Sequence, residues 1–234
     1  AERGLCKDVA YTAGERSVRR GRLIRRMSLS EQLQKHWHRV DAVSILLLPL
    51  SLIYWLAIGA RRWAYAVGVS KVHRFPVPVV VVGNLTVGGT GKTPFVIALT
   101  EQLVRQGWRP GVVSRGYRGE FSQPAMVPPD GEPRRFGDEP VLISQKTGLP
   151  VVVAHKRAEG VKRRLRESVD IVVSDDGLQH WAMGRCAEIA LIDGTEGFGT
   201  GCLLPAGPLR EPASRLETVD IRVRRGAKAQ PGEY

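Results

Sequence analysis

With 234 residues, 35 Lys+Arg, 23 Asp+Glu and a formal net charge of +12, the chain is long enough for one α/β domain plus an appendage. Its three cysteines, Cys6, Cys186 and Cys202, stand at neither metal nor redox spacing, which argues against a disulfide framework and favours a reducing compartment. The charge is uneven: residues 1–75 hold 14 basic and 5 acidic residues, residues 76–234 hold 21 and 18, so the excess surrounds an apolar stretch, lacks the aromatic-basic interleaving of a nucleic-acid binder, and points to an anionic membrane surface.

Residues 1–26 are Arg-rich and carry no apolar periodicity. Two readings stand: an extension or disordered tail ahead of a natural start at Met27, or a genuine basic arm. Residues 27–75 form a second segment, built on DAVSILLLPLSLIYWLAIGARRW. From Ala42 to Ala60 it has 19 residues without a charge. As a helix these span about 28 Å, close to the hydrocarbon core of a bilayer. Tyr54, Trp55 and Trp63 supply interfacial aromatics and Arg61-Arg62 close the run. A buried core helix is the alternative; a cleavable signal is disfavoured by the length of the run. Pro49 leaves open a kinked span or a helix that dips into one leaflet. Basic residues on both sides leave orientation unsettled, but a nucleotide site would have to face the cytoplasm.

Residues 76–234 read as one α/β unit. VPVVVVGN is an apolar, β-branched run, as expected for a parallel strand buried on both faces. TPFVIALTEQLVRQG has helical spacing and a closing Gly107. RPGVVSRGY, LPVVVAHKR, VDIVVSDDG and AEIALIDG each read as a short strand ending in a polar or glycine turn. Helices are expected near Glu139–Thr147 and Arg157–Glu167. The alternation predicts a P-loop NTPase-like, doubly wound, mostly parallel sheet with an N-terminal membrane-associated helix. Its ligands are expected beyond the carboxyl ends of the strands.

Three motifs fall at those ends. TVGGTGKT is a P-loop in which Thr86 replaces the usual first glycine. Val87, Gly88, Gly89, Thr90 and Gly91 form the turn whose amides cradle phosphate; Lys92 reaches the β/γ-phosphates and Thr93 offers a hydroxyl to Mg²⁺. An ordinary glycine turn is the bland alternative. VDIVVSDDG resembles a Walker B strand, with Asp175 and Asp176 as Mg²⁺ carboxylates. In FGDEP, Asp138 reads as a helix N-cap or, more sharply, as a base for an acceptor hydroxyl. SRGYRGE sets Arg115 and Arg118 where they could hold an anion. GLQHW places Gln179 and His180 beside the acidic pair, and LLPAGPLREP carries Arg210 and Glu211 in a loop whose job spacing does not reveal. His155 and KRRLR, Lys162–Arg166, read as surface features. The single asparagine, Asn84, excludes a guanine reader of the Asn-Lys-x-Asp kind. Val87 stands where partitioning-type membrane ATPases carry lysine, which weakens that reading.

VPVVVVGNLTVGGTGKTP, GWRPGVVSRGYRG, GDEPVLI, SDDGLQH and GFGTGCLLPAGPLREP together resemble the tetraacyldisaccharide 4'-kinase (lipid A 4'-kinase) family, in family order over roughly residues 76–216. The resemblance implies transfer of the ATP γ-phosphate to the 4'-hydroxyl of a membrane-bound tetraacyldisaccharide 1-phosphate. It places ATP on Thr86–Thr93, Mg²⁺ on Thr93, Asp175 and Asp176, catalysis on Lys92 and Asp138, and substrate contacts on Arg115, Gln179, His180, Arg210 and Glu211. The partners it implies are the lipid A disaccharide precursor and membrane lipids, with no protein partner inferred and no nucleic acid. It further implies a C-terminal α/β portion, with a histidine partner for Asp138, that this chain lacks. The chain is therefore expected to bind ATP with little kinase turnover. The alternatives are a membrane-associated P-loop ATPase switch and an inactive ATP-binding fragment.

Overall fold

The computed structural model describes residues 34–39, 41–162, 169–226, 230 and 232–234. The basic stretch 1–26 and residues 163–166 of KRRLR lie outside the described residues.

The apolar run forms helix α1, Ala42–Ala66, continuous through Pro49 and five residues past Arg61. Asp41 caps it, accepting from Ser44 N at 2.9 Å. At 25 residues the helix is about 37 Å long. It is not a core helix: only 11% of its most apolar window is buried, and Leu46, Ile53 and Trp63 are 79%, 62% and 65% exposed. One polar stripe meets the rest of the protein. Ser51 Oγ donates to Leu203 O at 2.9 Å and accepts from Ala206 N at 3.1 Å, and Tyr54 Oη donates to Arg210 O at 3.2 Å.

A seven-stranded sheet follows: β1 Val79–Gly83, β2 Pro110–Ser114, β3 Ala125–Met126, β4 Val151–Val153, β5 Ile171–Ser174, β6 Ala187–Asp193 and β7 Ile221–Arg225. The order is β3-β4-β2-β5-β1-β6-β7. β1 lies inside, with Val80 opposite Val173 of β5 on one side and Ala187 of β6 on the other. All pairings are parallel except that of the short edge strand β3, whose Ala125 faces Val153. Side chains alternate between two apolar layers. Val79 and Val81 point into one, with Leu85, Leu178, Met183 and Leu209; Val82 points into the other, with Val96, Val141 and Ile143.

The helices on that second face are α2, Lys92–Arg105, and α4, Asp138–Thr147, which pack on each other. Short turns α3, Pro133–Phe136, and α5, Arg157–Gly160, and a 3-10 turn, Ala213–Thr218, are further helical elements. The chain leaves β1 towards β2 on one side and leaves β5 towards β6 on the other. The carboxyl ends of β1 and β5 thus flank a switch point, where open α/β sheets form a crevice.

The expected strands all appear. One expectation is corrected. Asp138 does not cap α4: it is the first helical residue, and Gly137 is the cap, with no side-chain bond. Gly137 has φ 91°, and a Cβ there would stand 2.8 Å from Tyr117 O, so the turn itself requires glycine. The helix expected from Arg157 begins as α5 and continues as π-helix through Lys162; the rest of its expected length, 163–167, lies outside the described residues.

Candidate active site

The P-loop is held from an unexpected quarter. Val87 N donates to Pro208 O at 2.8 Å and Arg210 N to Leu85 O at 2.7 Å, so Leu85–Val87 and Pro208–Arg210 pair as a short ladder around the Thr86–Leu209 bridge. That pairing is the job of LLPAGPLREP: it ties the phosphate loop to the segment carrying Arg210 and Glu211. Gly91 enters α2 in the left-handed region at φ 78°, and a Cβ there would lie 2.5 Å from Nη1 of Arg225. Lys92, only 8% exposed, donates from Nζ to Asn84 Oδ1 at 3.1 Å and lies 3.6 Å from Asp176 Oδ1. Asn84 is wholly buried and donates to Thr86 O at 2.8 Å. Sequence reading used this residue only to exclude a guanine site; it in fact seats the P-loop lysine. Thr90 and Thr93 are buried, and Thr90 Oγ1 has no hydrogen-bond partner among the described residues.

The acidic pair caps β5. Asp175 N donates to Val113 O and Gly177 N to Val82 O, which fixes the turn between β1 and β2. Asp175 is fully buried; its Oδ2 accepts from Ser114 Oγ at 3.2 Å, and its Oδ1 has no partner. Burial first, then the charges of Glu139 and Asp176, push its carboxyl up to about 6. Asp176 adopts φ 49°, a conformation aspartate tolerates at a local cost. Burial raises its pKa, but Arg210, Lys92 and Arg157 outweigh this and hold it below the ordinary value. Arg210 Nη1 reaches both Asp176 oxygens at 3.0 Å.

Arg157, from the start of α5, is a site residue that the sequence reading missed. It is 5% exposed, donates from Nη2 to Asp176 O at 2.8 Å, and leaves its Nε unpartnered beside the acids. Position is the only available signal: it follows a strand end, as the other site residues do.

Gln179 joins the two halves. Its Nε2 donates to Asn84 O at 3.2 Å and to Glu211 Oε1 at 2.9 Å, while its Oε1 accepts from Arg210 Nη1 at 3.3 Å. Glu211 is 1% exposed, and burial raises its carboxyl despite Gln179 and Arg215. His180 is brought down to about 4 by burial and by Arg157, Arg185, Arg61 and Arg115, so it is neutral at pH 7.

These groups line a cleft of about 870 Å³. It collects Lys92, Arg115, Asp175, Asp176, Gln179, His180, Arg210 and Glu211, with Val87 and Gly88 of the P-loop. Tyr54, Ala57, Ile58 and Arg61 of α1 form one wall. Asp138 is exposed and does not line the cleft; its neighbour Glu139 does. His155, read as a surface residue, also lines it, stacked on Phe121 at 4.5 Å. Thr86, Gly89 and Thr90 face a smaller cavity of about 160 Å³ shared with Asp193 and Trp37.

Comparison with known proteins gives a consistent result. A family model described as tetraacyldisaccharide-1-P 4'-kinase matches residues 43–234. A tetraacyldisaccharide 4'-kinase of Methylobacillus flagellatus is 47% identical over 209 residues, covering 88% of this chain and 62% of that protein. One from Aeromonas salmonicida is 50% identical over 205 residues, with 86% and 62% covered. A crystal structure of an "apo" form of LpxK from Aquifex aeolicus in complex with ATP superposes with a TM-score of 0.71 at 32% identity, covering 82% of this chain and 62% of that one. The chain spans about three-fifths of the length of the curated relatives it matches.

Proposed function

Because the chain belongs to the tetraacyldisaccharide-1-P 4'-kinase family, we propose that its cleft takes ATP and serves transfer of the γ-phosphate to the 4'-hydroxyl of tetraacyldisaccharide 1-phosphate, a step in making lipid A. The observation that carries this reading is the composition of one cleft: a P-loop lysine, a paired carboxylate and an apolar helix wall within the same 870 Å³. A soluble phosphate acceptor has no use for that wall, whereas an acylated sugar does.

Catalysis of this kind rests on positioning and charge neutralisation. The amides of Val87–Gly91 and the N-terminus of α2 receive the phosphates. Lys92 supplies the fixed cation and Asn84 keeps it aimed. The residues fit Mg²⁺: all candidate donors are oxygens, and Asp175 Oδ1 is a buried acceptor without a partner. Asp175, Asp176 and Thr93 are its ligands in this reading, with Asp175 the freer because Asp176 is engaged by Arg210 and Lys92. A Mg²⁺ held by these oxygens would supply charge neutralisation for the transferring phosphoryl group. In this reading the base side falls at the first turn of α4, where Glu139 lines the cleft and Asp138, the assigned base, stands one residue before it and outside the lining. Arg115, Gln179, His180, Arg210 and Glu211 line the rest of the cleft and serve substrate binding in this reading.

Helix α1 associates with the membrane without crossing it upright. The polar stripe and cleft wall engage it from Ser51 to Arg61, about 15 Å of its axis. An upright span would draw the 203–210 loop and the cleft into hydrocarbon, where irregular backbone is not tolerated. A helix lying in the interface, one face on the domain and the rest in lipid, removes that conflict. The acyl chains then stay in the bilayer while the sugar reaches the cleft from its cytoplasmic side.

The test is phosphate transfer from labelled ATP to the tetraacyl disaccharide in detergent micelles, by the chain itself and by the chain joined to the C-terminal two-fifths of the Aeromonas salmonicida relative. Transfer is expected from the joined protein and not from its Lys92→Ala version. Lipid-independent ATP hydrolysis without transfer would overturn the kinase reading in favour of an ATPase switch.

A further inference from the structure

Beneath the cleft lies a cluster of buried charge. Arg215, in the 3-10 turn, is 2% exposed. Its Nη2 donates to both oxygens of Glu188 at 2.6 Å, its Nε lies 3.5 Å from Glu211 Oε2 as an ion pair with no hydrogen bond between the two atoms, and its Nη1 donates to the Thr218 hydroxyl. Its guanidinium sits 4.8 Å from the centre of the Trp181 ring. Glu188 and Glu211 are unequally served. Glu188 also receives Arg185 Nη1 at 2.8 Å. Glu211 has Arg215 as its only ion-pair partner among the described residues, and beyond it only the neutral amide of Gln179.

That amide has polarity to lose. As it stands, its nitrogen meets two acceptors, Asn84 O and Glu211, and its oxygen meets a donor, Arg210. Turned over, it would set oxygen against both acceptors and nitrogen against the guanidinium. Asn84 also holds Lys92, and Arg210 also holds Asp176. One amide therefore touches the residues that hold both Lys92 and Asp176, through the backbone carbonyl of Asn84 and the guanidinium of Arg210.

We propose that Arg215 is a positioning residue: by holding the Glu211 carboxylate towards Gln179, it fixes the amide that aligns Arg210 on Asp176 and, through Asn84, Lys92 beside the P-loop. The inference deepens the phosphoryl-transfer reading and rests on it for its nucleotide readout. Buried ion pairs are weak stabilisers as such, but removing one partner strands the other. Glu188 keeps its ion pair with Arg185 when Arg215 is lost; Glu211 keeps no ion-pair partner among the described residues, only the more distant charge of Arg62.

The two acids separate this role from a merely structural one. The chain is compared in detergent with Arg215→Met, alone and combined with Glu211→Gln or Glu188→Gln. Three readouts are followed: affinity for a fluorescent ATP analogue with Mg²⁺, thermal midpoint, and the Gln179 side-chain amide resonance, assigned by its loss in Gln179→Ala. Arg215→Met is expected to weaken nucleotide binding about tenfold and to shift the Gln179 amide. Glu211→Gln removes the stranded charge but keeps an acceptor for Gln179. In that background, loss of Arg215 is expected to change affinity by less than about threefold. Glu188→Gln is expected to recover thermal midpoint without affinity. Recovery of affinity by Glu188→Gln, or an unmoved Gln179 amide in Arg215→Met, overturns the proposal.

If Arg215→Met does not fold, Arg215→Lys combined with Glu188→Gln directs the remaining cation to Glu211. That protein is expected to bind within about threefold of the unsubstituted chain, and failure to do so counts against the role. Should the unsubstituted chain itself bind no nucleotide, the phosphoryl-transfer reading falls, and the Gln179 amide alone still decides whether Arg215 sets it.

Discussion

Replacing Asp175 by asparagine should stabilise the metal-free protein while ruining its nucleotide chemistry. The carboxylate is fully buried, Oδ1 accepts no hydrogen bond, and its pKa stands at about 6 against an ordinary 3.8. At ~1.4 kcal/mol per pKa unit, ionised Asp175 costs the fold on the order of 3 kcal/mol above pH 6. The amide keeps the shape and an acceptor for Ser114. It gives back about 1 kcal/mol because its NH₂ finds no ready acceptor. The expected gain is about 2 kcal/mol, or roughly 4–8 °C in thermal midpoint for a domain of this size. The sign with pH is fixed. A folded pKa raised above the unfolded one means that stability is fully present below pH 3.8 and lost as pH rises through about 6. The advantage of asparagine should thus be clear at pH 8, fade through pH 6 and vanish near pH 4. Thermal unfolding in EDTA across that range is the assay. An Asp175→Asn protein less stable at pH 8, or a difference independent of pH, would refute the reasoning. In the same protein, Mg²⁺-dependent ATP binding should be lost.

His180 titrates with the opposite sign. Its pKa is lowered to about 4, so its contribution is present above 6.5 and lost as pH falls towards 4; His180→Gln should therefore lose less thermal midpoint between pH 7 and pH 5 than the unsubstituted chain, and equal losses would exclude that assignment. Arg157→Met should weaken Mg²⁺-ATP binding about tenfold or more, since it removes a buried cation beside both acids; unchanged affinity in equilibrium binding would reduce Arg157 to a backbone clip. Ser51→Ala strands Leu203 O and Ala206 N against the buried stripe of α1 and should cost about 1–3 kcal/mol by chemical denaturation. Ile53→Lys, on the bare face of α1, should cut sedimentation with anionic vesicles at least about tenfold, a lysine in hydrocarbon costing ~3 kcal/mol; undiminished binding would remove that face from lipid.

What the sequence disclosed, and what it withheld, follow physical lines. β1, β2, β4, β5 and β6 were legible because each is a β-branched, apolar run buried on both faces. β7 was not, because IRVRR alternates valine with arginine at a half-exposed edge. β3, with two residues, has no periodicity to show. The P-loop and the acidic turn were legible because their chemistry is local, with glycine, lysine and carboxylate at fixed spacing. Asn84 and Arg157 were not, because each owes its role to a partner 8 or 19 residues away. Asp138 was misread as a cap because Gly137 satisfies the turn through its backbone alone. Helix α1 runs past Arg61-Arg62 because both arginines are occupied: Arg61 faces the cleft and Arg62 lies 5.3 Å from the centre of the Trp181 ring.

The loop from Leu203 to Arg210 is an adapter with two engaged sides. Leu203, Ala206 and Arg210 offer their backbones to Ser51 and Tyr54 of the lipid-facing helix, while Pro208 and Arg210 hold the strand leading into the phosphate loop. The two attachments are in mechanical series and share a residue. Lengthening or shortening the loop by one position throws both out of register at once. Tension applied where the helix meets lipid has no slack to absorb it before it reaches the nucleotide.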